Sequence, residues 1–193
     1  MANSWRERWP ERSSERQRRD VELVRGLVRS IPDFPRAGIL FRDIMPVLRD
    51  AVALQAAFRL HLDTVAELAQ PLDAVMAIES RGFLFGMCLA QALELAFVPV
   101  RKLGKLPGET LQDRYQLEYG QGTLEVHADA LKAGTRVLIL DDLLATGGTC
   151  AAAIRLARRL DADVRACVFL IELDGIHGRE ELAPVPVASI LHY

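Results

Sequence analysis

Two adjacent carboxylates followed by a glycine–threonine turn are the groups of this chain best suited to chemistry. Asp141-Asp142 follow the apolar run Val137–Leu140 and precede Leu143-Leu144-Ala145-Thr146-Gly147-Gly148-Thr149. A short apolar run of this kind suits a strand buried on both faces. From Cys150 to Leu160 the apolar positions Ala153, Ile154, Ala157 and Leu160 have helical spacing. Ala145–Thr149 is therefore expected between the carboxyl end of a strand and the amino end of a helix, where open α/β sheets take ligands. Glycines there allow a tight turn and close backbone approach. The free amides of the helix start and the helix dipole favour a phosphate, and Thr146 and Thr149 add hydroxyl donors. Two carboxylates would repel a phosphate. Asp141 and Asp142 are thus expected to face sugar hydroxyls, a cation or a developing positive charge. A plain turn with a capping threonine does not require Asp-Asp.

The elements around this stretch repeat its logic. Ala74–Ile78 reads as a strand and Phe83 to Leu95 as a helix, with Glu79-Ser80-Arg81-Gly82 between them. Arg81 at such a turn can clamp phosphate or pyrophosphate; a surface salt bridge is the equal alternative. Ala96–Val100 reads as a third strand, placed near an edge by Pro99, and it delivers Arg101 and Lys102 on the same side. Leu103 to Gly122 carries four glycines, Pro107 and scattered charge, including Lys105, Arg114, Tyr115, Glu118 and Tyr119. A loop of that length is usually functional, and it is expected to form a mobile hairpin or lid, with Thr123–Val126 returning. Val168–Ile171 and Val187–Leu191 read as further strands, and Gly175–Ala183 as a connecting loop.

Upstream, Ser4 to Asp20 is polar and arginine-rich, which predicts a disordered tail or a frayed helix extension over residues 1–20. A nucleic-acid arm or a transit peptide is an outside reading, the latter opposed by Glu7, Glu11 and Glu15. Ile31–Ile44 contains two prolines and a glycine, so no regular helix forms there. Phe34 and Phe41 on that segment are core or stack on a flat ligand, with core favoured by composition. Asp50 is placed to cap a helix running to about Gln70. The chain of 193 residues is 50% hydrophobic with a net charge of −2, which suits one α/β domain and gives no bulk electrostatic case for nucleic acid or membranes. Cys88, Cys150 and Cys167 are widely spaced and read as buried thiols of a reducing compartment.

The stretch Asp141–Thr149 resembles the phosphoribosyl-pyrophosphate (PRPP) motif of the type I phosphoribosyltransferases. Ile31–Asp43 resembles the amino-terminal hood of the adenine phosphoribosyltransferases. Ile78–Phe83 resembles their pyrophosphate turn, and Arg101–Gly108 with Leu117–Gly120 their flexible catalytic loop. The chain from about Val21 to Tyr193 is identified as a member of that family. The resemblance implies an α/β fold with a mostly parallel central sheet flanked by helices. It also implies a hood at about 31–45 and a flexible loop at about 103–122. The implied reaction converts adenine and PRPP to AMP and pyrophosphate with Mg²⁺, in a cytoplasmic homodimer.

The implied roles follow residue by residue. Ala145, Thr146, Gly147, Gly148 and Thr149 would hold the 5′-phosphate, and Asp141 and Asp142 the ribose hydroxyls. Ser80, Arg81, Arg101 and Lys105 would meet the pyrophosphate. Mg²⁺ would be held mainly by PRPP and water, with no protein ligand set. Glu118 would move the purine proton with Tyr119 beside it, Phe41 would stack on adenine, and backbone groups around Arg42 would read its edge. Enzymes for 6-oxopurines typically place a lysine after the motif and an aspartate before its Thr-Gly. This chain has no lysine after Lys132 and has Ala145 at the second position, so a 6-amino purine is expected. Arg165 and Arg179 are the available substitutes for that lysine. A transferase for another base and a non-catalytic PRPP-sensing regulator are the alternatives.

Overall fold

The computed structural model describes residues 13–68, 71–116 and 121–193. The chain divides into two compact units, Met1–Asp63 and Thr64–Tyr193.

In the first unit, helix α1 (Ser14–Leu27) starts at Ser13, whose hydroxyl accepts from the Arg16 N–H at 3.1 Å. Of the two expectations for the tail up to residue 20, the helix extension holds from Ser14 onward; residues 1–12 lie outside the described residues. Strands β1 (Arg29–Pro32) and β2 (Leu40–Asp43) form an antiparallel hairpin that pairs Ile31 with Phe41. Helices α2 (Met45–Arg49) and α3 (Ala51–Leu68) follow. Asp50 Oδ1 accepts from the N–H groups of Val52 and Ala53, the expected cap. Two ion pairs tie α1 to α3: Arg16 with Asp63, and Arg59 with the buried Asp20 at 2.7 Å. Those partners lie 47 and 39 residues apart, so the polar composition of α1 gives no local sign of them.

In the second unit, a seven-stranded sheet has the order β5-β6-β4-β3-β7-β8-β9. Its strands are β3 (Ala74–Ile78), β4 (Ala96–Lys102), β5 (Thr110–Gln116), β6 (Gln121–His127), β7 (Arg136–Leu144), β8 (Asp163–Glu172) and β9 (Val187–His192). The pairs β4/β3, β3/β7, β7/β8 and β8/β9 are parallel, while β6 runs antiparallel to both β4 and β5. β4 is thus no edge strand. Its ladder to β6 starts only at Arg101, so Pro99 sits where that side requires no donor.

The β3 residues are buried on both faces, which is why they read as a continuous apolar run. On one face Val75 and Ala77 meet Gly86 of helix α4 (Gly82–Leu93); a Cβ on Gly86 would lie 2.5 Å from the Ala77 Cβ. On the other, Ala74, Met76 and Ile78 join a core with Ala152, Ala153 and Leu156 of helix α5 (Gly148–Arg159). The chain passes from β3 to β4 on one side and returns to β7 on the other. The carboxyl ends of β3 and β7 therefore frame the switch point at which such sheets bind ligands. Among the described residues no helix is long and apolar enough to cross a membrane.

Candidate active site at the ends of β3 and β7

β7 is longer than its apolar run and carries Asp141 and Asp142 within the strand, so the sheet itself fixes the carboxylates. The turn after β3 crosses directly over them. A Cβ on Gly82 would lie 2.7 Å from the Leu140 carbonyl oxygen and 3.2 Å from the Asp141 Cα, so only glycine permits this approach. The crossing puts Arg81 Nε 2.9 Å from Asp142 Oδ2. Asp142 is 4% exposed and its Oδ2 accepts no directed hydrogen bond, so the contact is one of charge. Arg81 is thus paired, with a buried carboxylate of the strand rather than in a surface salt bridge.

Both acids have raised carboxyl pKa values. Burial pushes Asp142 up and Arg81 pulls it back. Asp141 is packed all round although a part of it reaches solvent; burial and then the Asp142 charge push it well above the carboxylate range. A pair held in this way favours an incoming donor or positive charge.

Arg101, at the carboxyl end of β4, lies against Glu79 at 3.2 Å and donates to the Lys105 carbonyl. Glu79 also accepts from the Lys102 N–H at 2.9 Å. These contacts, and Arg101 first among the side chains, hold its carboxyl below the usual range against the opposing effect of burial. Glu125 of β6, 2% exposed, accepts from the N–H groups of Lys105 and Leu106 at 2.7 and 2.8 Å. The Lys105 side chain is exposed. Ser80 follows Glu79 in the same turn, through a cis peptide.

The glycine turn after β7 leads straight into α5. Gly147 is the cap residue, at φ +81° and with no side-chain oxygen, so the first amides of α5 are not spent on a capping group. A Cβ there would lie 2.4 Å from the Gly178 carbonyl oxygen. Gly178 approaches in return: its Cβ would lie 1.9 Å from the Ala145 oxygen. The segment expected as an outer connecting loop therefore braces the turn from behind. In front of the turn, a cavity of about 410 Å³ is lined by Arg114, Tyr115, Thr146, Gly148, Arg155 and Glu181. Two arginines, a threonine and the helix start suit a phosphate there; Glu181, the one acid among these residues, is solvent-exposed.

Residues 51–187 match the phosphoribosyl transferase domain family. The chain is 51% identical over 177 residues to the human adenine phosphoribosyltransferase, covering 90% of this chain and 97% of that one. The solved structure of the Thermoanaerobacter pseudethanolicus adenine phosphoribosyltransferase is 45% identical, with a TM-score of 0.86 and 90% and 99% of the two chains covered. That of the Saccharomyces cerevisiae enzyme, complexed with an imino-altritol bisphosphate and adenine, is 41% identical, with a TM-score of 0.82 and the same coverage. The chain belongs to the adenine phosphoribosyltransferase family.

Several expected family residues come together within the second unit: Ser80 and Arg81, Arg101, Asp141 and Asp142, and Ala145 through Thr149. Glu118 and Tyr119 lie outside the described residues. Phe41 and Arg42 belong to the first unit. There Phe41 is half-buried and meets Phe34 edge-on at 5.2 Å, and Arg42 donates to Ser30. Phe34 is 51% exposed, so these rings are not the closed core that composition favoured.

The expected loop Leu103–Gly122 contains a regular strand, β5, in full register with β6 from Thr110/His127 to Gln116/Gln121. Its inner face, Leu111, Asp113 and Tyr115, alternates with exposed Gln112 and Arg114. Asp113 disguises that alternation, and its charge is met by Arg155 at 2.7 Å. Cys150 and Cys167 are buried as expected, whereas Cys88 is exposed on α4.

Proposed function

We infer that the protein transfers the phosphoribosyl group of PRPP to adenine, giving AMP and pyrophosphate in purine salvage. The observation that carries this reading is the meeting of the Arg81 turn with Asp142 at the head of the phosphate turn. It brings groups suited to pyrophosphate, to ribose hydroxyls and to a 5′-phosphate to one crevice.

The 5′-phosphate takes the cavity at Thr146 and Gly148 and the amides of α5. The ribose hydroxyls donate to Asp141 and Asp142. As the bond from C1′ to pyrophosphate breaks, positive charge grows on the ribosyl group beside two carboxylates whose burial makes such a charge welcome. Arg81 and Arg101, held in place by Asp142 and Glu79, turn to the departing pyrophosphate, with Lys105 beside them. Adenine N9 forms the new bond to C1′, and its proton passes to Glu118, the role that the family resemblance gives that residue. Closure of the segment 103–122 excludes water, which would otherwise capture the cation.

The donor set also fits Mg²⁺ of a particular kind. Among the described residues no three His, Cys, Asp or Glu side chains converge, and two neighbouring carboxylates are too few for a six-oxygen cage. Mg²⁺ would be held mainly by PRPP oxygens and water, and when bound it would supply charge neutralisation on the pyrophosphate.

Adenine is favoured over 6-oxopurines by what the two spare arginines do. Arg179 is spent on Glu172 at 2.6 Å and on the Val187 carbonyl, and Arg165 pairs with Asp163 at the far end of β8. Neither can donate to a 6-carbonyl, and the yeast relative was solved with adenine bound. A homodimer belongs to the same reading. It is supported by a stripe at i, i+3, i+4, i+7 on α4, in which Leu84, Met87, Cys88 and Gln91 are all exposed; sedimentation mass checks it. A cytoplasmic location belongs to the same reading, because PRPP is highly charged and does not cross a membrane unaided. The deciding experiment is kcat/KM with PRPP and Mg²⁺ for adenine and hypoxanthine. Adenine should lead by about 10⁴–10⁵, and a ratio near unity would overturn the base assignment.

A further inference from the structure

Glu125 has no part in the roles assigned above, yet it is among the most enclosed charged groups of the second unit. It is 2% exposed, within β6, and stands across the ladder from Arg101. A carboxylate is withdrawn from water only where partners answer it. Its partners are main-chain groups: Oε1 accepts from the Lys105 N–H at 2.7 Å and from the Leu106 N–H at 2.8 Å. Burial opposes its ionisation, and the N–H groups of Leu106 and Lys105 hold its carboxyl below the usual range all the same.

The Leu106 N–H and the Lys105 carbonyl belong to one peptide group. That carbonyl accepts from Arg101 Nη1 at 3.3 Å. A single peptide thus lies between a buried carboxylate and a guanidinium, its N–H given to one and its oxygen to the other. The two bonds polarise the peptide in the same sense and strengthen each other. The turn that brings it there is short. β4 ends at Lys102, the Leu103 N–H still reaches the Thr123 carbonyl at 3.1 Å, and Gly104 at φ +79° reverses the chain. Glu125 therefore fastens the segment after β4 where its ladder to β6 ends.

Arg101 has a second hold. Its Nε and Nη2 lie 3.2 and 3.4 Å from the Glu79 carboxylate at the end of β3. Glu79 thus fixes one edge of the guanidinium, and the Lys105 carbonyl fixes the other. The exposed Lys105 side chain springs from the same gripped residue. Both cations assigned to the pyrophosphate depend for their placement on one oxygen of Glu125.

We propose that Glu125 is a positioning residue for the pyrophosphate end of the site: by gripping the Lys105–Leu106 peptide it sets the Arg101 guanidinium and the Lys105 side chain to meet the departing pyrophosphate together. The proposal rests on the functional reading above. Glu125 touches no reacting atom, and the position of its oxygen matters more than its charge.

Pyrophosphate with Mg²⁺ and ribose 5-phosphate are the probes, one for each end of PRPP. The Kd of each is measured by calorimetry for the wild type, Glu125→Ala, Glu125→Asp and Glu125→Gln. A misplacement of about 1 Å costs on the order of 10²-fold. Glu125→Ala should therefore bind pyrophosphate about 10- to 100-fold more weakly, and ribose 5-phosphate as the wild type does. KM for PRPP should rise with KM for adenine unchanged, a split that general loosening of the fold would not give. Glu125→Asp keeps the charge but withdraws the oxygen by one methylene, and should weaken pyrophosphate binding about tenfold. Glu125→Gln keeps the oxygen in place without the charge and should stay within about threefold of the wild type. These two variants keep a polar group at the site and decide the matter if Glu125→Ala does not fold. Pyrophosphate affinity in Glu125→Asp within about twofold of the wild type, a loss in Glu125→Gln as large as in Glu125→Asp, or an equal loss of both probes overturns the proposal. A wild type that binds ribose 5-phosphate but not pyrophosphate overturns this inference alone; one that binds neither overturns the functional reading, and this inference with it.

Discussion

Replacing Gly178 with alanine adds one methyl group far from any reacting atom, and it should disable PRPP binding. The added Cβ would sit 1.9 Å from the Ala145 carbonyl oxygen, 2.8 Å from the Ala145 carbonyl carbon and 2.9 Å from the Gly147 N. All three are backbone atoms of the phosphate turn, so no side chain can swing aside. Restoring an ordinary contact requires a separation of about 1 Å more between the segment around Gly178 and the turn. Gly178 does not adopt a positive φ, so its own backbone accepts alanine without strain and the effect is purely one of displacement. Overpacking of this kind costs about 1–3 kcal/mol of stability. A shift of about 1 Å in a group that positions substrate costs on the order of 10² in rate or affinity. Ribose 5-phosphate affinity and kcat/KM for PRPP should therefore fall about 100-fold, while urea unfolding still shows a cooperative transition. Affinity within a factor of about two of the wild type would refute the claim that this segment sets the geometry of the turn.

Two further changes test the buried acids and the buried histidine. Asp141 has a raised carboxyl pKa in the folded protein, so its contribution to stability is complete below the ordinary carboxylate range and lost as pH rises through the folded value. Asp141→Asn should thus unfold at higher urea than the wild type at pH 7.5, with the gain vanishing near pH 3.5, while kcat falls by about 10²–10³. His61 of α3 is fully buried, its Nδ1–H donating to the Ala57 carbonyl at 2.7 Å, and burial lowers its pKa to about 4 from 6.5. Its depressed value means stability present above pH 6.5 and lost as pH falls towards 4, by about 3 kcal/mol in full. His61→Leu should flatten that slope in urea titrations at pH 7.5, 6 and 5.

The centre of the site was legible because its chemistry is local in sequence. Four apolar residues, two acids and a glycine turn before a helical repeat place Asp141 through Thr149 with no knowledge of the rest. What the sequence hid was contact at a distance. Gly178 looks like any loop glycine until it lies on Ala145, 33 positions earlier. Glu125 gives no sign that it holds the amides of Lys105 and Leu106. Tyr115 was visible as a residue of the loop, but the inner face that carries it is interrupted by Asp113, whose partner Arg155 sits on another element. The first half of α1, Ser14 to Asp20, shows the same effect: too few apolar residues to predict order, with two ion pairs to residues of α3 that lie far along the chain.

The two acids of the motif are not equivalent, and the difference assigns their work. Arg81 Nε lies 2.9 Å from Asp142 Oδ2, whereas among the described residues Asp141 has no cation within ion-pair distance; burial raises both carboxyls, and the Asp142 charge adds to the effect on Asp141. Asp142 is thus the acid already answered by a cation of the protein. Asp141 is the acid that is not, and its charge also bears on Tyr115 and on the Cys150 thiol, pushing both upward. A cation appearing on the ribosyl group would relieve Asp141 more than Asp142, because only Asp142 is in ion-pair contact with an arginine beforehand. Catalysis depends on interactions stronger in the transition state than before it. On that ground Asp141→Asn should lower kcat more than Asp142→Asn in steady-state assays with PRPP and adenine, and an equal loss in the two variants would refute the distinction.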